Sequence, residues 1–162
     1  MHKNFLFSML MLSMLAPSLG CGKSRTITTP DGGEVTVDKT GDEVEVAVTG
    51  PEGEKMTLKG SESGIPLPAN FPKDVPIPSK AKPVSNATMG QVTTVALEST
   101  KPLAEIVTFY EVGLKKNGWK IEGSGNTPMG SFMGATKQKR SLNVMISKRD
   151  EVSVITLIMG QQ

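Results

Sequence analysis

Ser99-Thr100-Lys101-Pro102-Leu103-Ala104-Glu105-Ile106-Val107-Thr108-Phe109-Tyr110-Glu111-Val112-Gly113-Leu114-Lys115-Lys116-Asn117-Gly118-Trp119 is the segment on which the fold class turns. Leu103, Ile106, Val107, Tyr110 and Leu114 recur at helical spacing and make one apolar stripe, broadened by Phe109 and Val112. A hydroxyl cap at Ser99-Thr100 and a proline in the first turn mark the start. Lys115 and Lys116 suit the negative end of the helix, and Asn117-Gly118 supplies a left-handed stop. Gln91–Glu98 before the helix reads as a strand. After it come Trp119–Glu122, a Gly/Ser loop from Gly123 to Gly130, Ser131–Gln138, Leu142–Ser147 and Val152–Met159. One helix followed by antiparallel strands predicts an α+β, two-layer domain of one helix on an antiparallel sheet, in β-α-β-β-β order.

Upstream, residues 24 to 60 alternate with the two-residue period of strands solvated on one face: Thr26–Thr29, Glu34–Asp38, Glu43–Val48 and Lys55–Lys59. The turns between them are rich in Gly, Pro and Asp. Ile27–Val37 recurs 21 residues later as Val48–Leu58, with Thr28, Pro30, Gly32 and Thr36 matched by Thr49, Pro51, Gly53 and Thr57. Two copies predict a duplicated hairpin, since a solenoid needs at least three repeats. Asp31, Asp42 and Glu52 are too sparse for a calcium loop and read as turn formers. Residues 61 to 86 hold six of the 11 prolines. That density forbids helix and most ladder bonding, so an extended path is expected. Ile65, Leu67, Phe71, Val75 and Ile77 make it a strap across the C-terminal domain rather than a free linker.

The N-terminus opens with Lys3, an apolar run from Phe5 to Ala16 and the exit Pro17-Ser18-Leu19-Gly20-Cys21. This is the layout of a secretory signal, too short for the roughly 20 residues that span a bilayer. The expected organisation is a signal peptide at 1–20, a lipidated N-terminus and duplicated hairpin stem at 21–60, the strap at 61–86 and the α+β sandwich at 87–162. Cys21 is the only cysteine in the chain. Ser18-Leu19-Gly20-Cys21 resembles the lipobox of bacterial lipoproteins, with cleavage between Gly20 and Cys21. The resemblance implies a diacylglyceryl thioether on Cys21 and an exported protein anchored to an envelope membrane, the outer membrane favoured. Ser18 stands where the lipobox has a branched apolar residue. It also fits ordinary signal peptidase, which would leave a soluble secreted chain.

Phe71-Pro72-x-Asp74-Val75-Pro76-Ile77-Pro78-x-x-Ala81-Lys82, followed by Phe109-Tyr110-x-x-x-Leu114-x-x-x-Gly118-Trp119, resembles a group of small exported bacterial domains of unknown function. A weaker likeness to the helix-on-sheet modules of barrel-assembly lipoproteins implies a scaffold or accessory role.

Catalysis has little to work with. His2, the only histidine, leaves with the signal, which removes the usual general base and, with Cys21 acylated, the soft metal ligands. The carboxylates Glu98, Glu105, Glu111, Glu122, Asp150 and Glu151 fall at solvent-facing positions, and Ser141, Ser147 and Lys148 form no distinctive dyad. The glycine spacing lacks the lysine and hydroxyl of a phosphate loop. No enzyme, cofactor or resident metal is expected. Met129 and Met133, with Met145 and Met159, invite a copper(I) reading, though methionine as core filler is far commoner. Trp119, Met129 and Met133 are the candidate binding surface, and Trp119 also suits closure of the core under the helix. Residues 21 to 60 carry five basic and eight acidic side chains, and residues 61 to 162 twelve and eight. Such balances exclude nucleic acid as a partner. The expected function is a non-catalytic envelope module that binds a protein or the wall, with a small-ligand binder as the alternative.

Overall fold

The alternating segments and the long apolar run at the C-terminus form the strands of one sheet. The computed structural model describes residues 24–127 and 130–161. Its strands are β1 (Arg25–Thr28), β2 (Glu34–Thr40), β3 (Glu43–Thr49), β4 (Lys55–Gly60), β5 (Lys82–Met89), β6 (Val92–Ser99), β7 (Lys120–Thr127), β8 (Gly130–Lys137), β9 (Arg140–Arg149) and β10 (Val152–Gln161). A single helix, α1 (Leu103–Lys116), lies between β6 and β7. The strands make one antiparallel sheet in the order β1-β2-β3-β4-β5-β6-β10-β9-β8-β7.

This overturns the expected fold class. The described residues are mostly β, with ten strands in one sheet and one short helix, and not a two-layer β-α-β-β-β domain set apart from a stem. The cause is β5, which pairs with β4 on one side and β6 on the other and so fuses the N-terminal meander to the rest. Its sequence, Lys82-Pro83-Val84-Ser85-Asn86-Ala87-Thr88-Met89, is too polar to signal a central strand. Pro83 is accommodated at a register shift between Pro83 and Ser85, where a missing donor costs least.

Gly123 to Gly130 also departs from expectation. Gly123–Thr127 belong to β7 and pair with β8, which Gly130 opens, with a bulge between Ile121 and Gly123. A Cβ at Gly125 would sit 2.6 Å from the Phe132 ring, so any larger residue there would have to push that exposed ring aside. The helix start is corrected too. Pro102 is the N-cap and makes no side-chain cap bond, while the Ser99 hydroxyl accepts from the Lys101 N–H at 3.2 Å. Gly118, at φ +79°, provides the left-handed stop.

The duplication in sequence is a duplication in space. The turns of the β1–β2 and β3–β4 hairpins close with the same bonds, Thr29 N–H to Gly33 O and Gly50 N–H to Glu54 O, both 2.8 Å. Gly32 and Gly53 take matching positive φ values of 90° and 88°.

The core lies on one side of the sheet. Ile106, Tyr110 and Leu114 of α1 are fully buried against Leu97 of β6, Leu142 and Val144 of β9, and Ile155 and Leu157 of β10. Each such side chain contributes about 1.5–3 kcal/mol by leaving water. From the strap, Ile65 and Val75 are buried, and Leu67, Phe71 and Ile77 pack against the same cluster.

Candidate functional site

Ladder register decides which residues share a face. Leu58 stands opposite Ala87, Ala87 opposite Thr94, and Thr94 opposite Ile158. This row lies on the side away from α1, because its neighbours Thr93, Val95 and Leu157 are the buried ones. A second row on that face runs Val44, Gly60, Ser85, Ala96, Thr156, Met145, Phe132. A third runs Ile27, Val35, Val48, Met56, Met89, Val92. Eight large hydrophobic side chains are exposed among the described residues. Seven of them, Ile27, Met56, Leu58, Met89, Val92, Phe132 and Met145, belong to this helix-free face; only Val112 lies elsewhere, on α1.

The face is not flat. Gly60, Ser85 and Ala96 put small residues on the central strands, with Val44, Val46 and Leu58 rising beside them. The result is a groove of about 710 Å³ that includes those stem residues, Ser85, Glu98 and Arg149. That volume falls in the usual range for small-molecule sites, roughly 300–1,000 Å³. A second depression of about 380 Å³ lies around Phe132, Met145 and Thr156. Charged residues line the first groove as well: Asp42, Lys59, Glu62, Glu98 and Arg149, with Glu98 3.8 Å from Lys82.

The most polar cluster serves the fold. Asp74 of the strap accepts two bonds from the Arg140 guanidinium, at 3.0 and 2.6 Å, and one from Lys137 Nζ at 2.6 Å. Its backbone carbonyl accepts from Trp119 Nε1 at 3.1 Å and Asn117 Nδ2 at 3.0 Å. The Arg140 fork, helped by Lys137 and opposed by burial, lowers the Asp74 carboxyl to about 2. Arg140 also lies over the Trp119 ring, 5.0 Å from its centroid. One aspartate thus latches the strap to the helix stop and to the strand pair β8–β9. The strap also crosses α1 closely, since a Cβ on Gly113 would meet Pro76 Cγ at 2.9 Å. The Phe-Pro-x-Asp-Val-Pro and Gly-Trp motifs are explained by this clamp.

A smaller knot ties the β2–β3 turn to the start of the strap. The Asp42 carboxylate accepts from the Ser61 hydroxyl at 2.7 Å and the Ser63 N–H at 2.9 Å, which hold its pKa far below the usual range. Tyr110 is the opposite case. Its hydroxyl is buried with no partner among the described residues, and burial raises its pKa.

A family model described as START domain-like matches residues 79–153. That span takes in β5, β6, α1, β7–β9 and the start of β10, and leaves out the β1–β4 meander. No curated protein and no solved structure matches the chain.

The residues singled out from sequence are dispersed. Gly20, Cys21 and Met129 lie outside the described residues. Trp119 and Met133 are each 3% exposed and belong to the core, so neither offers a surface. Met159 lies on the core side with Met133, whereas Met145 is on the open face, so the three described methionines do not converge. Ser147 and Lys148 alternate to opposite faces of β9. Glu122 accepts from Thr136 at 2.7 Å and Lys120 at 3.1 Å, which lowers its pKa. No three His, Cys, Asp or Glu residues gather among the described ones.

Two features escaped the sequence reading. The Asp74 latch had a signal in an acidic residue fixed between prolines beside an Arg and a Lys far downstream. The open face had a clearer one. Val152-Ser153-Val154-Ile155-Thr156-Leu157-Ile158-Met159 is nearly continuous in apolar residues, which marks a strand with two apolar sides.

Proposed function

We propose that this chain is a non-catalytic, protein- or wall-binding module of the bacterial cell envelope, tethered through lipid on Cys21 and making its envelope contacts through the open side of its sheet. The observation that carries the reading is the concentration of seven exposed hydrophobic side chains on the helix-free face. Soluble monomers rarely leave a contiguous apolar patch of more than a few hundred Å² without a use for it. The side chains able to do chemistry support the same reading, because Asp74, Lys137, Arg140 and Glu122 are engaged with one another or with the fold.

The tether rests on the lipobox-like Ser18-Leu19-Gly20-Cys21 and the apolar run before it. Attachment to the outer membrane is the favoured address. The test is mass spectrometry of the native N-terminus. Membrane-bound protein beginning at acylated Cys21, released by Cys21→Ser, is the expected outcome. A soluble chain with an unmodified amino end would overturn the tether.

A small apolar ligand is the second reading, favoured by the groove of about 710 Å³ and by the START domain-like match. It predicts a thermal shift with amphiphiles that Ser85→Trp, filling the groove floor, abolishes.

A further inference from the structure

We infer that the β1–β5 part of the open face lies directly on an anionic lipid surface. Three observations converge there. The first is apolar area. Ile27, Val35, Val48, Met56 and Met89 form one row and Val37, Val46, Leu58 and Ala87 a second. With Val92 they cover on the order of 400 Å², from strand and residue spacings, which is the size of a functional patch on a monomer.

The second is charge. Among the described residues of β1–β4, the open face carries Arg25 and Lys39 and no carboxylate. Glu34, Asp38, Glu43 and Glu45 alternate to the other face, together with Lys55 and Lys59. The meander is net acidic, yet its acid is turned away from the apolar side. That partition suits an anionic leaflet, which attracts basic residues near its surface. Asp31, Glu52 and Glu54 occupy the turns at one end of the hairpins, and at the other end Asp42, bonded to Ser61 and Ser63, and Glu62 line the groove, so contact is by the middle of the face and not by the tips.

The third is chain length. Cys21 precedes Arg25 by four residues, which reach at most about 14 Å. The sheet is therefore joined to its anchor at the edge strand where the basic and apolar residues stand together. The inference takes this geometry from the lipid-tethered reading, while the apolar and charge pattern stands without it. Twist of about 20–25° per strand turns the β8–β9 end well away from any plane that meets β1, which leaves the Phe132–Met145 region free for a partner.

The experiment uses the mature chain, acylated and as Cys21→Ser, with vesicles of phosphatidylcholine alone or mixed with phosphatidylglycerol, both carrying brominated acyl chains. Met89→Trp reports the open face, where Met89 is 61% exposed, and Thr57→Trp reports the opposite face of β4. Trp119, 3% exposed, is shielded from lipid quenchers. The inference expects the Met89→Trp signal to be quenched several-fold more than Thr57→Trp, and more on mixed vesicles than on neutral ones. It also expects salt to weaken binding of the Cys21→Ser form. Equal or absent quenching of the two reporters in acylated, vesicle-bound protein overturns the inference and leaves the tether intact. Quenching that survives in a chain whose native Cys21 proves unmodified supports the face and removes the tether. A blue-shifted Met89→Trp signal without vesicles, with doubled mass by light scattering, assigns the face to a second copy and overturns the inference.

Discussion

β1–β4 and β6–β10 belong to one hydrogen-bonded sheet, yet different forces hold them. No residue of β1–β4 is buried, whereas nine large side chains of α1, β6, β9 and β10 are fully so. The meander depends on ladder bonds, repeated Gly turns and cross-strand pairs such as Glu45–Lys59 at 2.7 Å. Exposed pairs of that kind contribute only a few tenths of a kcal/mol each. The C-terminal half has a packed core and a latched strap. Order in a sheet can thus spread beyond its core through a shared ladder, here at β5, and the added strands need not bury their apolar side. That side is left for an outside partner.

The largest expected effect tests the core half. Leu114→Ala should cost about 2–5 kcal/mol in denaturant unfolding, because it leaves a cavity between α1 and the sheet. A cost below about 0.5 kcal/mol would contradict the packing of the helix.

Asp74→Asn comes next, at about 1–3 kcal/mol at neutral pH, since it weakens charge-assisted bonds to Arg140 and Lys137. Because folding lowers the Asp74 carboxyl from 3.8 to about 2, its contribution is complete above about pH 4 and fades as pH falls towards 2. Stability measured through that window should fall less steeply in Asp74→Asn. Parallel pH curves for the two proteins would remove the latch from the account.

Val46→Ala tests the other half and should cost less than about 1 kcal/mol, the scale of a cross-strand pair on a half-exposed face. A loss above 2 kcal/mol would mean that the meander has a core of its own, and the contrast would collapse. The smallest effect is expected at Tyr110→Phe. Removing an unpartnered buried hydroxyl while keeping the ring should leave stability unchanged or raise it by up to about 1 kcal/mol. A clear loss would show that the hydroxyl is bonded.

Much of the secondary structure was legible. Residue alternation located β2, β3 and β4 to within two residues, and the apolar stripe oriented α1, with Ile106, Tyr110 and Leu114 inward. Those elements carry their own periodicity. The fold class was not legible, because it hinges on β5, whose polar residues and Pro83 hide a strand fixed by two neighbouring ladders. Most of β7 was hidden for a related reason: its glycines suggest a loop, whereas Gly125 lies under the Phe132 ring and Gly123 sits at the bulge after Ile121. The candidate site was half-visible. The apolar residues of the meander were read as the buried side of strands, which is the usual meaning of alternation. That no layer covers them is a property of topology, and no single strand encodes it.

Hydrogen exchange comparing the unacylated Cys21→Ser chain free in solution with the mature, acylated protein bound to anionic vesicles tests the central claim most directly. The account predicts that β1–β4 amides gain protection on the vesicle while those of β6, β9 and β10 keep theirs. Unchanged exchange in β1–β4, with protection appearing instead over α1 and the strap, would contradict it.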